Sequence, residues 1–241
     1  MFAGIHDALW GLKKVVGSPA LLRLALAPVL IAAVPVGLVF FAYRALRSAV
    51  GETTLSIPFV TDGSASLASL LDDAFLFFAY ITLVVVLAVF TTPFCEMISE
   101  RVENELSGRE PPKVSIARLF IEIFRGILHA LRRVLVYLFS LLVLCVVFIL
   151  PEPVDDALYA VGTAYLTVRF TSYDAFDTVW ARKNWPYRRK VDYLRDHRAR
   201  AYGLGAVVAG LVLVPVLNIF AFPAGSAGAA RQFHEAQGDA P

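Results

Sequence analysis

The segment Ser18-Pro19-Ala20-Leu21-Leu22-Arg23 has the residue types of an anion site. Ser18 is a good helix N-cap, and Pro19 suits the first helical position, where its missing N–H costs nothing. A helix starting here presents free backbone N–H groups and the positive end of its dipole, the two features that hold an anion. Arg23 follows within one turn and adds a full charge. The same residues also read as a plain cap with Arg23 as an interfacial anchor, and the sequence leaves both readings open.

Two further groups carry polar chemistry in apolar surroundings. Glu96, Glu100 and Glu103 share one helical face by their i, i+3, i+4 spacing, and Glu105 lies close by. They line the mouth of a pathway, pair with arginines of a neighbour, or are solvated beside Arg101 and Arg109. Direct binding of a dianion by carboxylates is physically unfavourable. Pro215 and Asn218 interrupt the last apolar run, Ala201–Ala230, which has thirty residues and no charge. Asn218 either bonds the backbone freed by Pro215 or lines a pathway. The glycines and alanines of 224–230 let helices pack closely.

The elements that must position these groups are membrane helices. Of 241 residues, 58% are hydrophobic and 17% charged, with mean hydropathy +0.67, against about 25% charged in a soluble domain. The expected fold is an all-α integral membrane protein, a single membrane domain over 1–241. It has two long transmembrane helices, two partly penetrating helical hairpins and interfacial amphipathic helices. A short amphipathic stretch, 5–17, comes first. The first span covers about 20–46 with Pro28 and Pro35 inside it, and a kink is expected. Its apolar run, Leu24–Tyr43, is too long for the h-region of a cleavable signal. The second span covers about 74–100, and 96–109 extends the helix out of the membrane. Pro111-Pro112 stops that extension, and 115–133 reads as an amphipathic helix in the interface plane. Val134–Leu150 and Ala157–Val168 are both short for a crossing, so 134–173 reads as a hairpin. The run 201–232 reads as a second hairpin, two half-length helices meeting near Pro215–Asn218.

Charge sets orientation. Basic residues gather near the N-terminus, in 109–133 and in 182–200, while the 44–73 loop is acidic. The positive-inside rule places both termini in the cytoplasm and that loop outside. Trp10, Trp180 and Trp185 read as interface markers. The basic segment 182–200 lies between membrane segments, where anionic headgroups explain it better than nucleic acid. Cys95 and Cys145 have no ligand spacing, and the four histidines are scattered. No glycine-rich nucleotide loop, serine triad or metal motif occurs, so neither an enzyme nor a metal or other cofactor is expected.

Three motifs in order carry a family resemblance. They are Gly11-Leu12-Lys13-Lys14 with Ser18-Pro19, Arg23 and Pro28; Pro93-Phe94 with Glu100, Val102, Glu103 and Gly108; and Gly203-Leu204-Gly205 with Pro215-Val216-Leu217-Asn218, Pro223, Gly228 and Ala229. Over about residues 8–233 the chain resembles the CysZ family of bacterial sulfate permeases, related to the eukaryotic etoposide-induced membrane proteins. The resemblance implies a helical inner-membrane protein, homo-oligomeric assembly, and uptake of sulfate or a related oxyanion for cysteine synthesis. It directs sulfate to Ser18, Ala20, Leu21, Leu22 and Arg23. The related permeases commonly carry a glycine and two consecutive arginines there; this chain has Ala20 and Leu22-Arg23. The competing reading is a non-transporting scaffold or bilayer-shaping protein of the same fold.

Overall fold

The structure, a computed structural model, describes residues 1–50, 54–56, 64–110, 135–137, 139–146 and 154–238. The helices are α1 (Phe2–Gly17), α2 (Pro19–Val50), α3 (Leu67–Leu106), α4 (Val154–Arg182), α5 (Tyr187–Asp196), α6 (Arg198–Val212) and α7 (Pro215–Gly238). Residues 135–137 and 139–144 are also helical. The expected helical class holds, with one addition. Inside the 44–73 loop, β1 (Thr54–Ser56) and β2 (Ser64–Ser66) pair antiparallel, Leu55 opposite Ala65. The amphipathic helix expected at 115–133 and the Pro111-Pro112 stop lie outside the described residues.

The chain forms two compact units, Ala27–Ala88 and Met1–Leu26 with Val89–Pro241. In the first, the end of α2 is tied to the start of α3. The Tyr43 hydroxyl donates to Asp72 Oδ1 at 2.7 Å, Arg47 Nε lies 3.3 Å from the same oxygen, and Tyr43 stacks on Phe75 at 4.4 Å. Most large apolar side chains of this unit point outward. Leu30, Val34, Leu38 and Phe41 are each more than 60% exposed, as are Leu76, Phe77 and Tyr80. An apolar surface of this extent needs a lipid or protein covering. Among the described residues, Pro19–Ala49 is long and apolar enough to cross a membrane. Pro28 and Pro35 sit within an unbroken α2.

In the second unit α1, α4, α6 and α7 pack together, and small residues set the spacing. A Cβ on Gly11 would lie 2.2 Å from Ala224 O, and one on Gly203 would lie 2.2 Å from Met1 O. Backbones this close leave no room for a side chain between them, as in close-packed membrane helices. Hydroxyls bridge the helices: Thr171 Oγ1 donates to Gly205 O at 2.9 Å and Ser99 Oγ to Thr178 O at 3.3 Å. Residues 224–230 of α7 are buried throughout.

Three local features differ from the sequence reading. The helix holding the second arm of the 134–173 hairpin does not stop at 173 but runs unbroken to Arg182. The break in the last apolar run falls at Leu213–Val214, with Pro215 opening α7. Trp180 is not an interface marker. It is fully buried, stacked on Phe176 at 5.3 Å and on Trp185 at 6.2 Å, because its indole completes an aromatic core between α4 and α5.

Candidate functional site

The junction of α1 and α2 is a helix start, as expected from the sequence. Ser18 is extended (φ −108°, ψ 112°), and its N–H closes α1 on Lys14 O at 3.1 Å. The next turn begins with Leu22 N–H to Ser18 O at 2.8 Å. Pro19 has no N–H, so Ala20 and Leu21 hold the free donors of the first turn. The Leu21 side chain is buried in the core, so this residue can offer a ligand only its backbone. Ser18, Ala20 and Leu22 are half-buried and Arg23 is exposed. Among the described residues Arg23 has no carboxylate partner, so its guanidinium is open to an anion arriving from solvent.

Glu103 is built into the fold. It accepts from Lys183 Nζ at 2.6 Å and Arg182 Nη2 at 3.0 Å, Arg182 being the last residue of α4 and Lys183 the one after it. These partners come from the end of another helix, not from nearby Arg101 or Arg109. Burial opposes ionisation of Glu103, but the hydrogen bonds and charges of Lys183 and Arg182 outweigh it and hold the carboxyl below its ordinary value. A lowered folded-state pKa stabilises above the unfolded value of about 4.3 and loses that contribution as pH falls through the folded value. Glu103→Gln is therefore expected to cost about 1.5 kcal/mol at pH 7. A thermal-unfolding series from neutral to acid pH checks it: the wild-type midpoint should fall more steeply than the variant's. Glu100 is half-buried on the same helix.

Asn218 is exposed, and its backbone N–H continues the helix to Val214 O at 2.8 Å. Among the described residues its side chain has no hydrogen bond, and it is exposed. The structure thus keeps Ser18–Arg23 together, while Glu103 and Asn218 belong to separate places. At the end of α3, Gly108 takes φ +66° so that Arg109 N–H can reach Asn104 O at 2.8 Å. That left-handed closure gives the motif's glycine a backbone role.

A larger polar cluster was not foreseen from the sequence. Asp7 of α1 is 1% exposed and accepts from Arg200 Nε at 2.6 Å and Nη2 at 3.0 Å. Arg200 also donates to Glu235 of α7, which accepts from Arg231 Nε at 2.8 Å. The Arg200 guanidinium is held charged well beyond its ordinary range, first by its bonds to Asp7, against the cost of burial. Asp7 and Arg200 are 193 positions apart, so only the fold brings them together. Among the described residues no His, Cys, Asp and Glu cluster could hold a metal ion.

The family described as Sulfate transporter CysZ/Etoposide-induced protein 2.4 matches residues 8–223, nearly the whole chain. The chain belongs to this family. The Sulfate transporter CysZ of Salmonella typhi is 25% identical over 141 residues, and that of Salmonella typhimurium is 24% identical over the same length. Each match takes in 57% of this chain and 54% of the relative, so the chain spans about half the length of these CysZ relatives. The exposed apolar surface of α2, which is long and apolar enough to cross a membrane, is in keeping with this family.

Proposed function

We propose that this protein is an inner-membrane permease or channel for sulfate or a closely related oxyanion. The start of α2 receives the anion. What carries the reading is the family match together with the first-turn N–H groups of Ala20 and Leu21 beside Arg23, which has no carboxylate partner among the described residues. Sulfate is a compact dianion whose waters must be replaced gently. Backbone donors at a helix N-terminus do this without fixing it as tightly as a cage of cations. Arg23 contributes attraction at the mouth and one bidentate hydrogen-bonding face. The loss of the second arginine in Leu22-Arg23 predicts weaker binding than in relatives that keep the pair. Both termini lie in the cytoplasm, the chain assembles with copies of itself, and the sulfate feeds cysteine synthesis.

Radiolabelled sulfate uptake into proteoliposomes tests this. Saturable uptake, competed by sulfate better than by chloride, is expected. Arg23→Ala should lower the rate about tenfold, the effect of losing one charge-assisted hydrogen bond, with the thermal midpoint unchanged. No uptake by correctly inserted protein would discard the permease and favour the scaffold.

A further inference from the structure

A cavity of about 820 Å³ opens between α4, α5, α6 and the helical pieces at 135–137 and 139–144. Its charge is one-sided. Arg169 comes from α4, Lys190 and Arg195 from α5, and Arg198 from α6. The acidic side chain in the lining is Asp177, bound to Lys190 Nζ at 2.6 Å, and both are nearly buried. Their charges cancel. Among the described residues Arg169, Arg195 and Arg198 form no ion pair, so three guanidinium groups from three helices face one concavity uncompensated. Elsewhere in the segment, Arg182, Lys183 and Arg200 are all paired with carboxylates.

The remaining wall is aromatic and apolar, including Tyr165, Phe170 and Tyr202. On one side Val136 and Ser140 line the cavity, while Leu135, Phe139 and Leu142 of the same helical pieces are more than half exposed. An exposed apolar band therefore runs directly into a basic cavity. A solvated arginine cluster needs no concavity and no adjoining apolar band. A bare oxyanion is much smaller than this space, which falls in the size range of sites for whole organic ligands.

We infer that this cavity binds the phosphate of an anionic phospholipid headgroup, with Arg169, Arg195 and Arg198 around the phosphate oxygens and the acyl chains along Leu135, Phe139 and Leu142. Arginine suits this by its planar, bidentate donors. The site is separate from the start of α2 and does not depend on sulfate movement.

Binding of short-chain phosphatidylglycerol to the purified full chain, read by native mass spectrometry, tests it. Phosphatidylcholine, inorganic phosphate and sulfate form parallel arms. Phosphatidylglycerol should bind and phosphatidylcholine should not. The combined Arg169→Gln, Arg195→Gln, Arg198→Gln variant should bind roughly 100-fold more weakly, on about one kcal/mol per interfacial basic residue. A charge-matched variant, Arg101→Gln with Arg109→Gln and Arg188→Gln, should stay within about threefold of wild type, because its charges lie outside the cavity. Ser140→Phe keeps every charge but puts an aromatic ring into the cavity wall beside the apolar band, and should also weaken lipid binding. Inorganic phosphate bound as well as the lipid, and lost with the same arginines, would keep the oxyanion site and make its source soluble. Equal weakening by both triple variants, or full binding by Ser140→Phe, would overturn the assignment.

Discussion

Arg200→Met is expected to destabilise the protein by about 3 kcal/mol, the cost of leaving a buried carboxylate without its partner. Asp7 is almost wholly buried against α6 and α7, and Arg200 supplies both of its short hydrogen bonds. Arg231 Nε is 3.9 Å from Asp7, too far for a hydrogen bond. Arg200 is itself partly exposed, which places the effect at the lower end of the range for broken buried pairs. For a chain of this size the thermal midpoint should fall by roughly 10 °C. Asp7→Asn combined with Arg200→Met should recover part of the loss, because the orphaned charge is gone; the double-mutant cycle isolates the pair. The acid limb should respond as well. Burial opposes ionisation of Glu235, but its bonds to Arg200 and Arg231 hold the carboxyl below its ordinary value. Its contribution is therefore complete at neutral pH and fades as pH falls below about 4. A shift of under about 1 kcal/mol in Arg200→Met would mean that the pair adds little and that α1 is held by packing alone.

How much of this was legible follows from which forces act locally. The α1–α2 junction was readable because capping is decided by adjacent residues: Gly17, Ser18 and Pro19 end one helix and open the next without outside help. The helical class was readable from hydropathy for the same reason. The unbroken run of α4 through 173 was not, because the sequence reading placed its boundary where charge density rises, and charge does not stop a helix. Helix α4 carries on until Arg182, where Asn184 at φ 51° and Pro186 turn the chain. The buried Trp180 was misread because it was judged by residue type, whereas its surroundings come from other elements. The Asp7–Arg200 pair and the basic cavity were out of reach for a stronger reason. Each joins residues from separate helices, and no pattern along the chain marks which arginines of 182–200 find carboxylates and which stay free. The family motifs were visible, but not their cause: Gly11, Gly203, Gly205 and Gly228 stand where the backbone meets a neighbouring helix.

That cause leads to a pair of substitutions on one helix with opposite outcomes. Gly11→Ala should destabilise by about 3 kcal/mol, at the upper end of overpacking effects, whereas Gly17→Ala should be neutral or slightly stabilising. Both residues lie in α1, and helix propensity alone favours alanine at either by up to about 1 kcal/mol. At Gly17 nothing lies within 4 Å of the added methyl. At Gly11 the methyl would meet Ala224 O at 2.2 Å and Gly228 N at 2.9 Å. These are backbone atoms of α7, so no rotamer change relieves the clash. Helix α1 would have to move outward by about an ångström, and the Asp7 carboxylate, four residues away, would move with it. Arg200 would then hold Asp7 in poorer geometry, so part of the cost is electrostatic. Comparing Gly11→Ala in wild-type and in Asp7→Asn, Arg200→Met backgrounds separates the two parts: the penalty should shrink when the pair is absent. Equal stability of Gly11→Ala and Gly17→Ala in thermal unfolding would show that α1 is not seated against α7. The core that Leu21 shares with Ala8 and Val15 would then be looser, and the proposed anion site would lose its support.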